Sequence, residues 1–127
     1  MATVAATLQQ VSCPEVTELD LSWNDFTSDG LAMLGDAFTV GSLHGLKKLD
    51  LGHCAGIREL PEAIGKLAEL EELYLSDCVG LRHLPQSFLR LTSLRVVDVT
   101  NCHSLSGVPF ERHLIKNVEV IGKDTIG

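Results

Sequence analysis

The sequence has few aromatic residues, no Lys or Arg before position 47 and no long apolar run. Phe, Trp and Tyr make up 5% of its 127 residues, so the core must consist mainly of Leu, Val and Ile. No apolar stretch is long enough to span a bilayer. Residues 1–8 carry no basic group and no cleavage-like end of a secretory signal. These absences argue against a membrane protein and predict residence in the cytoplasm or the nucleus.

The charge is acidic and unevenly placed. The formal net charge is −7, from 17 carboxylates against 10 Lys and Arg. This balance argues against a nucleic-acid partner, because phosphate backbones are bound by clustered cations. The acidic part before Lys47 is interpreted either as a solvated face or as a surface for a basic partner.

Cysteine and histidine form no catalytic or metal-binding motif. The four cysteines include no Cys-x-x-Cys pair and no secreted disulfide framework. Cys13 is expected to be a free surface thiol. Neither a Gly-x-Ser-x-Gly nucleophile motif nor a His-Glu-x-x-His zinc motif is present. The sequence therefore predicts no enzyme, no cofactor and no metal ion.

Three stretches repeat one pattern at a constant spacing along the chain. They are Leu46–Cys54, Leu70–Cys78 and Leu94–Cys102, and we call the units that they begin the regular units. Each stretch contains an apolar residue on either side of one polar or aromatic residue, which is the alternation of a short strand. A fixed period of this length indicates a solenoid, in which each unit buries its apolar edge against its neighbours. Successive strands should then run parallel and side by side.

The second half of each regular unit predicts an irregular return path. A proline pair recurs as Leu60-Pro61, Leu84-Pro85 and Val108-Pro109. The residue before proline avoids helical backbone, so extended chain, short turns and irregular helix are expected there. The apolar residues expected to fill this side of the core are Ile64, Leu67, Phe88 and Leu91.

The first unit, which begins at Val16, is longer than the others. Its extra residues place Leu31, Leu34 and Phe38 at helical spacing. This spacing predicts one α-helix near residues 28–38.

The end of the chain predicts a half-unit. Val118 and Ile121 fall one further period after Leu94 and Val97, so both are expected to face the core of a last edge strand, before Lys123 ends the pattern. The result is an α/β fold in one domain, residues 1–127. Its units lie near 16–45, 46–69, 70–93 and 94–117, with a partial unit at 118–127. Residues 1–15 provide no evident cap, so the chain is expected to be a piece of a larger protein or a poorly capped small one, open to end-to-end self-association.

The pattern Leu-x-x-Leu-x-Leu-x-x-Asn/Cys-x-x-Leu resembles that of the leucine-rich repeat family over residues 16–121. The regular units are most similar to those of plant nucleotide-binding leucine-rich-repeat immune receptors, where a Leu-Pro-x-x-Ile-Gly-x-Leu phrase follows the Cys. Residues 60–67 reproduce that phrase. The first unit instead resembles ribonuclease-inhibitor-type repeats, which have a helical convex side. The resemblance implies a right-handed leucine-rich-repeat solenoid with a parallel β-sheet on its concave side. It also implies the sensing part of such a receptor without its nucleotide switch.

The exposed strand positions are the predicted binding surface for another protein. Trp, Tyr and Arg commonly anchor interfaces, and here they are kept out of the core. Asp20, Asp50 and Asp98 fall in one column that Tyr74 interrupts. An alternative for Trp23 is that it is partly covered by the N-terminal segment. The predicted partner-binding residues are Trp23, Lys48, Asp50, His53, Glu72, Tyr74, Asp77, Arg95 and Asp98.

One further column is predicted to be structural. Asn24, Cys54, Cys78 and Cys102 are expected to be buried and to satisfy backbone groups where the chain leaves each strand. His53 should point away from Cys54, since strand neighbours face opposite ways. The alternative is a zinc or redox cluster of the three stacked thiols.

Together these features predict a non-catalytic protein–protein interaction module in plant-type immune or signalling recognition. Two other interpretations remain open at this stage. One is an enzyme regulator like the ribonuclease inhibitor, which the helical first unit favours. The other is a substrate-receptor fragment of a ubiquitin ligase, for which the residues before Val16 are too few to form the required helical segment.

Overall fold

Five short strands, one α-helix and two 3₁₀ helices make up the described part of the chain. The computed structural model describes residues 16–25, 27–39, 43–106 and 118–122. The α-helix, α1, spans Ser28–Thr39, and the 3₁₀ helices span Glu62–Lys66 and Gln86–Arg90. The strands are β1 (Glu18–Asp20), β2 (Lys48–Asp50), β3 (Glu72–Tyr74), β4 (Val96–Asp98) and β5 (Glu119–Ile121).

The strands form one all-parallel sheet in the order β1-β2-β3-β4-β5. Leu49 pairs with Leu73, and Leu73 pairs with Val97. All three side chains are fully buried. The repeat pattern therefore correctly predicts adjoining parallel strands with their aliphatic residues side by side. Together with the helices behind the sheet, this arrangement is an α/β repeat fold.

The side opposite the sheet is formed by α1 and the two 3₁₀ helices. Proline starts each 3₁₀ helix: Pro61 and Pro85 have extended backbone, with ψ of 146° and 156°. Their carbonyls accept bonds from the amides of Ile64 (3.1 Å) and Phe88 (3.0 Å), which gives the tight 3₁₀ turn. α1 packs against the first 3₁₀ helix, which packs against the second. The return path is thus irregular in the regular units, as the proline pairs predict.

The core is a continuous column of aliphatic side chains between the sheet and this opposite side. Ile64, Leu67, Phe88 and Leu91 are all buried, as predicted. Leu31 and Phe38 of α1 belong to the same cluster. Several predictions fall outside what the structure describes: those for Cys13, Val108-Pro109, Lys123, the segment 1–15 and the side chain of Leu34.

One prediction about the last strand is wrong. Ile121 was expected to face the core opposite Val97, but Val120 pairs with Val97 and Ile121 pairs with Asp98. Ile121 therefore lies on the outer face, with 37% of its surface exposed. Val118 and Val120 pack against the core instead. The step from β4 to β5 is one residue shorter than the step from β3 to β4, and in a strand a slip of one residue exchanges the two faces.

Candidate functional site

The outer side of the sheet, which we call the sheet face, is polar and open. It consists of the first and third residue of each strand, because the central residue points into the core. Four strand-to-strand steps of about 4.8 Å give it a width of roughly 19 Å. Its members are Glu18, Asp20, Lys48, Asp50, Glu72, Tyr74, Val96, Asp98, Glu119 and Ile121.

The aspartate column of the sheet face holds the turns that follow the strands. Asp20 pairs with Asp50, while Tyr74 separates Asp50 from Asp98. The Oδ1 atom of each aspartate accepts the backbone N–H two residues later, at 2.9 Å from Ser22, 2.8 Å from Gly52 and 3.0 Å from Thr100. This is the Asx-turn bond that fixes a chain reversal locally.

Hydrogen bonds also determine the charge state of Asp20. The hydroxyl of Ser22 donates to Asp20 Oδ1 at 2.6 Å, as that of Thr100 does to Asp98. The side-chain and backbone bonds from Ser22 lower the pKa of Asp20 below its ordinary value. Asp20 is therefore a carboxylate at neutral pH, and it supplies no acid with a raised pKa of the kind that glycoside hydrolysis requires.

Tyr74 stands at the centre of the sheet face between a cation and an anion. Its hydroxyl donates to Glu72 Oε1 at 2.5 Å, and the ammonium of Lys48 lies 5.4 Å from the centre of its ring. The hydrogen bond to Glu72 is the main cause that raises the pKa of Tyr74 to about 12. The structure thus brings together three residues that the sequence predicts as binding residues, with the phenol neutral and held in place.

A second line of residues follows the strands, which we call the turn column: Trp23, His53, Asp77 and Asn101. All four have left-handed backbone, with φ of 62°, 60°, 60° and 61°. His53 Nδ1 lies 3.5 Å from Asp77 Oδ2, and Asn101 Nδ2 donates to Asp77 Oδ1 at 2.9 Å. His53 is half-exposed next to the buried Cys54, in a turn rather than in the strand that the sequence predicted there. The turn column was not recognised from sequence as a structural unit, and Asn101 is the one member that was not among the predicted binding residues.

Trp23 is the exceptional residue of the turn column. His, Asp and Asn are the types that tolerate left-handed backbone best, whereas tryptophan is not among them. Its ring stacks on the His53 ring with 3.7 Å between centroids and 7° between planes. The side chain nevertheless remains 74% exposed. The alternative, in which the N-terminal segment partly covers Trp23, involves residues 1–15, which lie outside the described part of the chain.

Arg95, the remaining predicted binding residue, lies immediately before β4 and pairs with a neighbouring unit. Its Nη2 atom is 3.2 Å from Glu71 Oε1. The arginine side chain is largely exposed, so this ion pair contributes about 0–1 kcal/mol. The pair limits where the guanidinium points rather than stabilising the fold.

The cysteine column is structural in its geometry. The thiols of Cys54, Cys78 and Cys102 are buried, and each donates to a backbone carbonyl of the preceding unit. The distances are 3.4 Å to Leu21, 3.1 Å to Leu51 and 3.0 Å to Leu75.

The pKa values of the three thiols also indicate a structural role for the cysteine column. Burial raises the pKa of Cys78 to about 12 and that of Cys102 to about 11, and it also raises that of Cys54. Thiols that stay protonated are poor nucleophiles and poor metal ligands. Within the described residues, no three His, Cys, Asp or Glu side chains are arranged to hold a metal ion.

Asn24 differs from the cysteines of this column in one respect. It was predicted to be buried, but it is exposed. Its Nδ2 atom donates to the carbonyls of Leu21 (2.7 Å) and Ser22 (3.2 Å), which belong to its own unit. The amide therefore satisfies backbone groups as expected, although in its own unit and not in a neighbouring one.

A groove on the opposite side was not predicted. It has a volume of about 490 Å³ and lies between α1 and the two Leu-Pro segments, at residues 59–62 and 83–86, with Asp29 and Ala32 on the helix side. The recurring Leu-Pro pairs are the sequence signal that would have pointed to it, because they place two extended segments side by side.

The comparison with known families supports the repeat interpretation. Residues 12–35 match the family described as Leucine Rich repeat. Such repeats generally mediate protein–protein interaction, and domains built from them are typically non-catalytic. No curated protein gives a significant match to the chain. Across the described ranges, α1 included, no helix has the length and apolar character needed to cross a membrane.

Proposed function

We propose that this chain is a non-catalytic protein-binding module that binds its partner through the sheet face and the turn column. The observation that carries the proposal is the exposed Trp23 ring, held in a fixed position by His53 at the edge of an ordered polar sheet. Groups already fixed before binding lose little conformational entropy when a partner arrives. The hydrogen bonds of Asp20, Tyr74 and Asp77 fix the neighbouring groups in the same way.

The size of the surface fits a protein partner of modest area. A standard interface uses about 20–30 residues a side, and the sheet face with its flanking turns offers about 20. The architecture that we assume is a single right-handed solenoid domain with the sheet on its concave side. Self-association through its two ends stays a prediction of the same arrangement.

The cellular context that we propose is recognition or regulation in plant-type immune signalling in the cytoplasm. Support comes from the 60–67 phrase, which resembles the repeats of immune receptors. One observation favours a second candidate, an enzyme regulator similar to the ribonuclease inhibitor. That observation is α1, a 12-residue helix in the first unit.

An affinity capture from cells tests the binding proposal. The chain with Trp23→Ala/Tyr74→Ala is compared with the natural chain and with a matched control, Met33→Ala/Val79→Ala, which alters two exposed apolar residues outside the sheet face. We expect the first variant to lose a specific partner that the control retains, with unchanged circular dichroism for both. Equal capture by all three would place binding elsewhere, for example in the groove beside α1.

A further inference from the structure

We propose that Trp23 and the neighbouring end of the sheet face bind an arginine-containing, extended basic segment of the partner. The guanidinium would lie on the open face of the Trp23 ring. This inference rests on the proposed function, since it specifies what chemistry the partner brings to that surface. It concerns one end of the surface, at β1 and β2.

The ring geometry leaves one face of Trp23 for a ligand. His53 covers the other face at a separation of 3.7 Å, nearly parallel. Asp77 Oδ2 lies 3.5 Å from His53 Nδ1, and Asn101 donates to Asp77. The stacked Trp23–His53 pair, which we call the platform, therefore needs little ordering on binding. Tryptophan at φ 62° keeps a strained backbone that Gly, Asn or Asp would adopt more easily. Backbone strain that persists together with exposure is typical of residues retained for function.

The charge around this platform selects a cation. At the outward positions of the five described strands, lysine occurs once and carboxylates occur six times: Glu18, Asp20, Asp50, Glu72, Asp98 and Glu119. The single lysine, Lys48, has its ammonium near the Tyr74 ring. No Lys or Arg precedes position 47 in the sequence. A cation brought to this end is therefore attracted, while a phosphate backbone is repelled.

A groove next to the platform receives a second cation. It has a volume of about 250 Å³ and is lined by Glu18, Leu19, Asp20, Lys48 and Asp50. Asp20 and Asp50 each commit Oδ1 to a turn, so Oδ2 is the oxygen that we propose pairs with the second cation, which would compete there with Lys48.

The spacing between platform and groove defines the partner's motif. Trp23 is the third residue after Asp20, so their Cα atoms are at most about 11 Å apart. Two side chains on the same side of an extended segment stand about 6.7 Å apart, and arginine side chains can make up the difference. We therefore expect basic residues at alternate positions of the segment.

Arginine suits this site better than an apolar side chain. A guanidinium stacks flat on an indole and also pairs with carboxylates, whereas an apolar residue would leave the surrounding charges without a partner. At a partly desolvated site, the indole contact corresponds to roughly a 3- to 30-fold gain in affinity.

A peptide titration tests the inference on the full chain. The probe is a blocked peptide of alternating arginine and glycine, compared with the same peptide carrying citrulline, which has the shape of arginine without its charge. Trp23 is the only tryptophan, so its fluorescence reports binding directly. We expect the arginine peptide to bind at least about tenfold more tightly. Its affinity should also fall steeply as salt is raised, because exposed charges are screened.

Variants locate the site. Trp23→Asn keeps a residue type that accepts left-handed backbone. It should weaken binding of the arginine peptide roughly 3- to 30-fold, measured by calorimetry, and the affinity of Trp23→Phe should lie between those of the natural chain and Trp23→Asn. Glu18→Gln, which changes a carboxylate outside the turn bonds, should weaken it about 2- to 5-fold. Met33→Ala should have no effect.

Two outcomes overturn the inference without depending on any variant's folding. They are equal affinity for the arginine and citrulline peptides on the natural chain, and tighter binding of a leucine-containing peptide of the same length. In either case, loss of partner capture by Trp23→Ala/Tyr74→Ala would still support the binding module itself. Conversely, selective arginine binding with unchanged partner capture would contradict the proposed function and leave the cation site standing.

Discussion

Replacing Gly65 with alanine is the most direct test of how closely the two 3₁₀ helices pack. A Cβ atom built at this position would lie 2.7 Å from Ser87 Cβ and 2.7 Å from the Ser87 carbonyl oxygen. Ser87 belongs to the second 3₁₀ helix, and its hydroxyl donates to the Glu62 carbonyl at 2.6 Å. The two 3₁₀ helices are in close contact because residue 65 has no side chain. The Gly of the Leu-Pro-x-x-Ile-Gly-x-Leu phrase therefore has a packing role here.

The expected cost of Gly65→Ala can be worked from these contacts. Overpacking of this kind costs about 1–3 kcal/mol. Replacing glycine with alanine returns about 0.4–1 kcal/mol through the unfolded state. Because the contacts at 2.7 Å include a backbone oxygen, we take the upper part of the overpacking range, about 2–3 kcal/mol. The net loss is then about 1–2.6 kcal/mol, which should lower the melting temperature by roughly 4–10 °C for a domain of this size.

Thermal unfolding followed by circular dichroism measures the effect, and Gly35→Ala is the matched control. There a Cβ would meet the Pro61 side chain at 3.0 Å rather than a backbone oxygen. Alanine also has a helix propensity better than glycine by about 1 kcal/mol within α1. We expect Gly35→Ala to change the melting temperature little. A Gly65→Ala chain that melts as high as the natural one, or a larger loss for Gly35→Ala, would refute the packing argument.

Three other predictions concern the cysteine column, the turn column and Tyr74. With a pKa near 12, Cys78 should react with a thiol reagent at about pH 8 roughly 1000-fold more slowly than a thiol of pKa 9.0, and Cys102, with a pKa near 11, roughly 100-fold more slowly; rapid modification of Cys78 and Cys102 in the folded chain would contradict this. His53→Val should be less stable to urea than His53→Asn by about 1–2 kcal/mol, because a β-branched residue resists left-handed backbone; equal stability would remove the strain argument. Tyr74 is the only tyrosine, so ultraviolet absorbance should show it titrating near pH 12, and Glu72→Gln should lower that pKa. Because its pKa is raised, its contribution to stability is complete below pH 10 and is lost as pH rises from 10 towards 12; an ordinary pKa would mean that the bond to Glu72 is absent in solution.

The sequence was sufficient to predict the inner half of the fold. The alternation around Leu49, Leu73 and Val97 predicts which side chains are buried. Because the spacing of the regular units is constant, these side chains can be buried together only if the strands stack side by side in register. The proline pairs likewise predicted the irregular return path. These predictions succeed because burial and local backbone restriction are properties of short segments.

Register at the last strand could not be read in the same way. Val118-Glu119-Val120 alternates correctly, but extending the period of the regular units placed Ile121 inside. The connection before β5 is one residue shorter than that period requires, and no feature of the sequence pattern indicates this shortening.

The candidate site was predicted residue by residue but not as an arrangement. Tyr74 was found because it stands between two inward residues, and Trp23 and His53 were found because each directly precedes a residue of the Asn/Cys column. Their contacts depend on turn dihedrals and on side chains from neighbouring units, which no single unit specifies. The signal that was available is the row His53, Asp77 and Asn101, three types that favour positive φ at one offset.

The direction of the thiol bonds bears on how this chain tolerates changes in length. Cys54, Cys78 and Cys102 each donate backwards, to the leucine carbonyl of the unit before. Removing or duplicating one whole regular unit would leave every remaining thiol opposite an equivalent acceptor. A deletion inside a strand or the turn after it would displace the thiol of that unit, whereas the longer step from Leu19 to Leu49 shows that the return path can differ in length without loss of the thiol bond. The array is therefore suited to growing or shrinking by whole blocks during evolution, and an engineer could adjust the width of the binding surface in the same increments.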